Sequence, residues 1–331
     1  MRAEVTKRAG FGERRAKQIP LLIFVLLTWG FPRLGLSASK SGAQMKNGFD
    51  LQGSLVPLKE IHHGGPPRDG IPALDQPRFS PAASATYLKP EDRVLGIELN
   101  GIVKAYPIRI LDWHEIANDD FNGVPVVVTY CPLCGTGLAF SAEVAGSRKS
   151  FGVSGLLYNS DVLLYDRQTE SLWSQLLGRA ITGPLKGTSL KLIPLRHTTW
   201  RAWKEEHPDT QVLSIRTGHS RNYLGTAYRG YAKSRSVMFP VSHRDRRYHP
   251  KERVVGIEVD GRFKAYPFVE LARTSGVIHD TVNGRKIKVV FDAENASALV
   301  LDTADKELPS VIGFWFAWTA FHPDTEVFQA E

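Results

Sequence analysis

The sequence predicts an α+β fold, mainly antiparallel β with short helices, built as two tandem pseudo-symmetric modules of unequal length. Three observations predict it. The text PEDRVLGIELNGIVKAYP from Pro90 recurs from Pro250 as PKERVVGIEVDGRFKAYP, with eleven identities in eighteen positions. Each copy carries an Asn-Gly or Asp-Gly pair between apolar stretches, a strong signal for a two-residue β-hairpin. Each copy also ends on two tryptophans followed by His-Pro-Asp-Thr.

The elements of the first copy follow from periodicity and turn residues. Strands are expected over 94–99 and 102–106, a short helix over 108–118 and a buried strand over 124–130. A hairpin is expected over 150–165 and a helix over 199–206 that ends before Pro208. The second copy lacks a stretch of the first that covers roughly 151–192.

These signals divide the chain into five segments. They are a signal peptide or N-terminal anchor over 1–39, an extended N-terminal arm over 40–89, a first module with the Cys-Pro-Leu-Cys site over 90–215, a basic and aromatic linker over 216–249, and a second, truncated module without cysteines over 250–331. The arm is rich in Gly, Pro and Ser, which indicates an extended conformation. The linker is interpreted as a solvated surface connection.

The first 39 residues have the order typical of a secretory signal. Basic residues precede the apolar run 19–31, and small residues follow it. The run is shorter than the ~20 residues of a comfortable membrane span, so cleavage near Ala38 or Ser39 is favoured over permanent anchoring. We therefore expect an exported protein, periplasmic or extracytoplasmic, that meets a membrane only through this segment if it stays uncleaved.

The net charge argues against a nucleic-acid partner. The formal charge is +8, and residues 1–39 supply seven Lys or Arg against two Glu, a contribution of +5 that leaves +3 for the rest. A nearly balanced body lacks the basic surface of a nucleic-acid-binding protein. Protein partners are not indicated by any feature of the sequence.

Cys131 and Cys134 are the sequence's two cysteines and stand in a Cys-Pro-Leu-Cys-Gly turn after a predicted buried strand. Three interpretations are open. The turn is typical of a metal knuckle for zinc or copper, which needs further His or carboxylate ligands. It also suits a dithiol redox couple, although Gly135-Thr136-Gly137 breaks the helix that lowers the thiol pKa in such couples. In an oxidising compartment a local structural disulfide is the third interpretation.

The duplication offers a test of which residues carry chemistry. Asp292 and Asn295 stand opposite Cys131 and Cys134, and Thr274 and Ser275 stand opposite His114 and Glu115. Residues lost together from one copy are candidates for a common function. The sequence therefore predicts a metal or redox site composed of Cys131, Cys134, His114 and Glu115, although a lone helical histidine is also often a packing residue.

The stretch present only in the first copy is dense in polar residues around one tryptophan. It is predicted to line the site through Tyr158, Asp161, Asp166, Arg167, Trp173 and Gln175. A competing interpretation is a hairpin tip that runs into a helix, with Asp166 as its cap and Trp173 in the core.

The runs TYCPLCGTGLAF, FGVSGLLYNSDVLLYDRQTESLWSQ and HPKERVVGIE resemble the prokaryotic family of domain of unknown function 3179, from about Ile71 to the C-terminus. The resemblance implies that exported or membrane-anchored members are common, and it implies no activity. Two functions remain open. The protein is either a metal-binding or thiol-redox protein centred on Cys-x-x-Cys, or a non-catalytic module that binds a ligand or partner and uses the pair as a structural disulfide.

Overall fold

The computed structural model describes residues 44–331, and the predicted leader over 1–39 lies outside them. Before the first repeat copy the strands are β1 (Met45–Lys46), β2 (Phe49–Asp50), β3 (Ile61–His63) and β4 (Phe79–Pro81). Short 3-10 helices cover Leu58–Glu60, Ala82–Ser84 and Tyr231–Lys233. In this described part of the chain, no helix is long and apolar enough to cross a membrane.

The first copy holds more elements than the second. Its elements are β5 (Arg93–Leu99), β6 (Ile102–Pro107), α1 (Ile108–Leu111), β7 (Ile116–Phe121), β8 (Val124–Cys131), β9 (Thr136–Ser141), β10 (Glu143–Val144), β11 (Ser147–Arg148), β12 (Phe151–Tyr158), β13 (Asp161–Asp166), β14 (Leu172–Ser174), β15 (Arg179–Ala180), β16 (Leu192–Ile193), β17 (Arg196–Thr199), α2 (Trp200–Glu206) and β18 (Gln211–Leu213). The second copy comprises β19 (Arg253–Val259), β20 (Arg262–Pro267), α3 (Phe268–Leu271), β21 (Val277–Val282), β22 (Arg285–Asp292), β23 (Ser297–Leu301), β24 (Val311–Phe314), α4 (Trp315–Phe321) and β25 (Glu326–Val327).

Five sheets of three to five strands form the body described. In strand order they are sheet 1 (β17-β5-β6-β18-β4), sheet 2 (β16-β9-β8-β7), sheet 3 (β15-β14-β13-β12-β3), sheet 4 (β24-β19-β20-β25) and sheet 5 (β21-β22-β23). Neighbouring strands are antiparallel except β18 beside β6 and β25 beside β20. The prediction of mainly antiparallel β structure with short helices is confirmed.

The prediction of two tandem modules of unequal length is wrong as a description of the architecture. The five sheets together resemble the blades of a five-bladed β-propeller. The sequence repeat is nevertheless visible in the elements, since sheets 1 and 2 repeat the strand order of sheets 4 and 5 with one additional edge strand each, β4 and β16. Sheet 3 comes mainly from the stretch that the second copy lacks, and it supplies the odd fifth blade.

Contacts between the two copies explain why they do not form separate modules. The Phe314 N–H at the end of β24 donates to the carbonyl of Cys134 at 2.8 Å. In the opposite direction, the Thr199 hydroxyl at the end of β17 donates to Asn295 Oδ1 at 2.5 Å. Thr199 and Phe314 are equivalent, and so are Cys134 and Asn295. Each copy therefore docks the turn after its long strand onto the last strand of the other copy.

Some local predictions need correction. The helix expected over 108–118 ends at Leu111, and a strand begins at Ile116, so His114 and Glu115 lie in the turn between them. The stretch after Asp166 does not enter a helix, because Leu172–Ser174 pairs with β13 as a strand. The hairpin over 150–165 and the helix over 199–206 are present, the latter with Thr199 as its N-cap.

Candidate functional site

The Cys-Pro-Leu-Cys-Gly turn closes on itself at the end of β8. The N–H groups of Cys134 and Gly135 donate to the carbonyl of Cys131 at 3.2 and 2.8 Å. Gly135 adopts a left-handed φ of 64°, and a Cβ at this position would lie 2.9 Å from the ring of Phe314. Glycine is therefore required here both by the backbone conformation and by the close approach of β24.

The third member of the site comes from sheet 3. The β12–β13 hairpin turns through Asn159 and Ser160, both with left-handed φ, and its first residue after the turn is Asp161. Cys131 Sγ, Cys134 Sγ and a carboxyl oxygen of Asp161 all lie within 4.8 Å of one another. Among residues 44–331, no other three His, Cys, Asp or Glu ligand atoms gather in this way.

The three groups are buried and poorly satisfied. Both cysteines are free, with 1% and 0% of their surface exposed, and Asp161 is 1% exposed. The sulfurs face the carbonyl of Ser160, at 3.3 Å from Cys134 and 3.9 Å from Cys131. Asp161 Oδ2 accepts the Leu176 N–H at 3.1 Å, whereas Oδ1 has no hydrogen-bond partner within the described chain. Buried polar atoms without partners are rare in folded proteins.

Burial shifts all three groups toward their protonated forms. It raises the pKa of the Cys131 and Cys134 thiols above their ordinary value. It also raises the pKa of Asp161 to about 7, although the Leu176 N–H acts in the opposite direction. Removing the charged form from water is costly, and a charge of opposite sign is the usual remedy.

A lysine of the second copy lies close enough to Cys134 for the two charges to act on each other. Lys251 is 5% exposed, donates to the carbonyl of Ser236 at 2.6 Å, and lies 3.9 Å from the ring centroid of Tyr231. Burial lowers its pKa to about 8, and the charge of Cys134 acts in the opposite direction. The segment 216–249 thus contributes to the site through Ser236 and Tyr231, although most of its residues are exposed.

Glu115 lines a cavity of about 200 Å³ beside the cysteine turn. Its other walls are mainly apolar and include Leu133, Val162, Tyr228 and Phe239. Burial raises the pKa of Glu115 to about 8, and the carboxyls of Asp161 and Asp112 add to the effect. Glu115 is therefore electrostatically coupled to the site without being one of its three clustered ligands.

His114 is fully buried and occupied elsewhere. Its Nδ1 lies 2.7 Å from the carbonyl of Pro72, and its Nε2 lies 2.7 Å from the hydroxyl of Tyr223. It is not part of the cluster formed by the two sulfurs and Asp161. Its loss from the second copy together with the cysteines reflects packing against 72 and 223, contacts that the second copy does not contain.

The remaining residues predicted to line the site have contacts of their own. Asp166 accepts from the Thr169 N–H at 2.7 Å and from Trp173 Nε1 at 2.9 Å, which fixes the β13–β14 turn and places Trp173 in the core. Arg167 forms an ion pair with Asp75 at 2.9 Å. Gln175 joins sheet 3 to sheet 2 through Thr129 and Thr136, both at 2.8 Å. Tyr158 packs edge-on against Phe321. Of the six residues, Asp161 is the one that the structure brings to the sulfurs.

The second copy shows what the turn becomes without sulfur. Asp292 is exposed, and its carboxylate accepts from the backbone N–H and the side-chain amide of Asn295 at 3.0 and 2.7 Å. In the second copy the turn is therefore held by hydrogen bonds between a carboxylate and an amide, at the two positions where the first copy has thiols.

These observations define a class: a β-sheet protein with a buried dithiol–carboxylate site in one of two repeat copies. The model of the family described as "Protein of unknown function (DUF3179)" matches residues 68–325, and the chain belongs to that family. No curated protein and no solved structure matches the chain significantly.

Lys251 was missed by the sequence reasoning, although a signal for it exists. It stands where the first copy has the exposed Glu91, and the comparison of copies was applied only to residues missing from the second copy. Applied in both directions, the same test selects Lys251.

Proposed function

We propose that the protein binds a transition-metal ion, best matched by zinc, through the thiolates of Cys131 and Cys134 and the carboxylate of Asp161. The observation that carries the proposal is the gathering of these three ligand atoms within 4.8 Å in a buried site. Two sulfurs and one oxygen suit the borderline-soft character of zinc better than that of magnesium or calcium.

The charge balance favours a metal over a reactive thiol. A redox-active cysteine needs a lowered pKa, and burial raises the pKa of both thiols here. A divalent cation displaces the thiol protons and supplies the positive charge that Asp161 lacks. The free state of both cysteines also speaks against the alternative in which they form a structural disulfide.

Three protein ligands leave room for a fourth. The hydroxyl of Ser160 is buried and has no hydrogen-bond partner within residues 44–331. Three protein ligands with an exchangeable fourth position are typical of catalytic zinc, whereas structural zinc has four protein ligands. The nearby cavity beside Glu115 would provide space for a small molecule.

The test is the metal content of untagged protein purified without chelator. We expect about one zinc per chain in the wild type and a loss of most of it in Cys131→Ser, Cys134→Ser and Asp161→Asn. Asp292→Asn is the matched control, because it changes the exposed equivalent of Cys131 and should retain the metal. Metal-free protein with two titratable thiols, or zinc that survives all three substitutions, would contradict the proposal.

We further propose that the protein works outside the cytoplasm, on the strength of the predicted leader over 1–39. In an oxidising compartment a bound metal would protect two neighbouring thiols from disulfide formation. Fractionation followed by N-terminal sequencing tests this proposal, and a mature chain that starts at Met1 in the cytoplasmic fraction would refute it.

A further inference from the structure

Arg93 and Arg253 occupy equivalent positions at the starts of β5 and β19, yet their contacts differ. Arg93 donates to the carbonyls of His197 at 2.7 Å and Ala296 at 3.0 Å, and also to the carbonyl of Asn295. The Arg253 side chain forms no hydrogen bond and no salt bridge with any residue of the described part, and its backbone pairs with Phe314. Its guanidinium, although partly buried, is therefore available.

The equivalence of the copies explains the difference. Arg93 binds the carbonyls of the Asp292–Asn295 turn, and the corresponding acceptor for Arg253 is the carbonyl of Cys134 in the cysteine turn. In the structure that carbonyl accepts the N–H of Phe314 at 2.8 Å and not the guanidinium of Arg253. Arg253 thus lacks the carbonyl acceptors that Arg93 has, and it lies close enough to Tyr130 for the two charges to act on each other.

A second unsatisfied group lies in the same neighbourhood. His197 is 3% exposed, and neither of its ring nitrogens has a hydrogen-bond partner among residues 44–331. Its ring lies edge-on to Tyr130, with centroids 6.4 Å apart. Burial lowers the pKa of His197 well below its ordinary value, and the charges of Arg93 and Arg253 lower it further. Burial and the charge of Arg253 similarly lower the pKa of Arg93 to about 9.

We propose that Arg253, together with His197 and Tyr130, forms a binding site for a small monocarboxylate. A partly buried guanidinium without a hydrogen-bonded carboxylate is costly, and its planar fork matches a carboxylate in two parallel hydrogen bonds. Tyr130 and a neutral His197 can each add a donor. Asp112 and Glu252 lie close enough to act on Tyr130 and Arg253, which reduces the net positive charge and favours a monoanion over a phosphate dianion.

The proposal does not depend on a metal ion at the cysteines. Tyr130 immediately precedes Cys131 on β8. Neighbouring side chains of a strand point to opposite faces of its sheet, so the Tyr130 ring and the Cys131 sulfur lie on different sides of β8. The ligand class proposed for the site of Arg253, His197 and Tyr130 is a small carboxylic acid.

Calorimetric titration of the intact protein with sodium acetate, sodium propionate and sodium phosphate, at constant ionic strength, tests the site. We expect the two carboxylates to bind the wild type and Arg253→Gln to bind them at least about tenfold more weakly. Arg253→Lys keeps the charge without the fork and should fall between the two. Arg262→Gln is the matched control, since Arg262 is exposed on the neighbouring strand of the same sheet and should change nothing.

Because Arg253 makes no contact that the fold needs, Arg253→Gln should retain the wild-type circular dichroism spectrum. It should also retain the wild-type metal content, so a failure of this proposal and a failure of the metal proposal are distinguishable. Equal carboxylate binding by wild type and Arg253→Gln would overturn the proposal. Binding of phosphate without acetate or propionate would overturn the assignment of the carboxylate.

Discussion

At the scale of single residues, Glu115 combines two unfavourable features. Its φ of 57° is left-handed, which costs a non-glycine residue about 1 kcal/mol or more, and its carboxyl is 7% exposed. Residues held in such conformations concentrate at functional sites, where the surrounding structure compensates for the strain. Glu115 accordingly lines the cavity beside the cysteine turn.

The raised pKa of Glu115, about 8, predicts how stability depends on pH in metal-free protein. Below its ordinary value of 4.5 the carboxyl is protonated in both the folded and the unfolded chain. As pH rises from about 4.5 to about 8, the unfolded chain loses this proton first, so the free energy of unfolding falls. We expect Glu115→Gln to flatten the curve in that window, as measured by urea unfolding.

The exposed Glu258 provides the control, because Glu258→Gln removes a glutamate without removing a buried carboxyl. Its stability curve should run parallel to that of the wild type. Curves for Glu115→Gln and the wild type that stay parallel from pH 4.5 to 8 would show that the Glu115 carboxyl ionises as it does in water.

The two predicted cysteines lie together with Asp161 in the structure, whereas His114 lies outside that cluster. Comparison of the two copies singles out residues that one copy lost, but it does not tell a ligand from a packing residue. The partners of His114, which are Pro72 and Tyr223, come from segments outside the repeat. No local pattern reveals such long-range contacts.

At the scale of elements, a tryptophan lies flat against a glycine of the central strand in both copies. In sheet 1 the ring of Trp203 covers Gly96, and in sheet 4 the ring of Trp318 covers Gly256. Each indole N–H donates to a threonine hydroxyl at 3.0 Å, that of Thr210 or Thr325. The repeated W-x-x-W-x-x-x-H-P-D-T text is thus the signature of a helix that closes over its sheet.

This packing predicts equal penalties at the two glycines. A Cβ at Gly96 or Gly256 would overlap the indole ring, so Gly96→Ala and Gly256→Ala should each cost about 1–3 kcal/mol of stability. Gly225→Ala is the control for the loss of glycine, since its φ is not left-handed and a Cβ there would lie at an ordinary 3.5 Å from its nearest neighbour, Asn222. Thermal unfolding of the three variants provides the measurement.

Unequal losses of stability in Gly96→Ala and Gly256→Ala would mean that the two tryptophans contribute different energies despite equivalent geometry.

Hairpins and helix ends were predictable from the sequence, because their turn and capping residues are local in the chain. The helix over 108–118 was not, because its apolar spacing fits both a helix and the strand that begins at Ile116.

At the scale of the whole molecule, the two copies are joined by reciprocal contacts that include Arg93. Its three carbonyl acceptors belong to β17 and to the turn of the second copy. The sequence could not predict this closure, because the repeat specifies which elements exist but not which copy they dock on. The five-sheet arrangement depends on these long-range contacts.

These contacts between the two copies predict that the copies unfold together and that the free energy of unfolding depends strongly on Arg93. Arg93→Gln should lower the free energy of unfolding by about 2–4 kcal/mol, because charged donors lose buried carbonyl acceptors. Arg253→Gln removes the equivalent residue, which has no such acceptors, and should change stability little. Urea unfolding followed by tryptophan fluorescence and far-ultraviolet circular dichroism should give coincident single transitions. Separate transitions for the two probes, or equal losses of unfolding free energy in the two variants, would contradict this role of the contacts between the copies.

The contacts of the hydrogen-bonded turn formed by Asp292 and Asn295 limit which residues these two positions can hold. Asn295 uses its amide for Asp292, its side-chain oxygen for Thr199 and its backbone carbonyl for Arg93. Cysteines at positions 292 and 295 would lose the side-chain hydrogen bond between these two residues and the one to Thr199. The backbone carbonyl at position 295 would still accept from Arg93. The equivalent turns therefore have different roles: the first holds the dithiol–carboxylate cluster, and the second holds the two copies together.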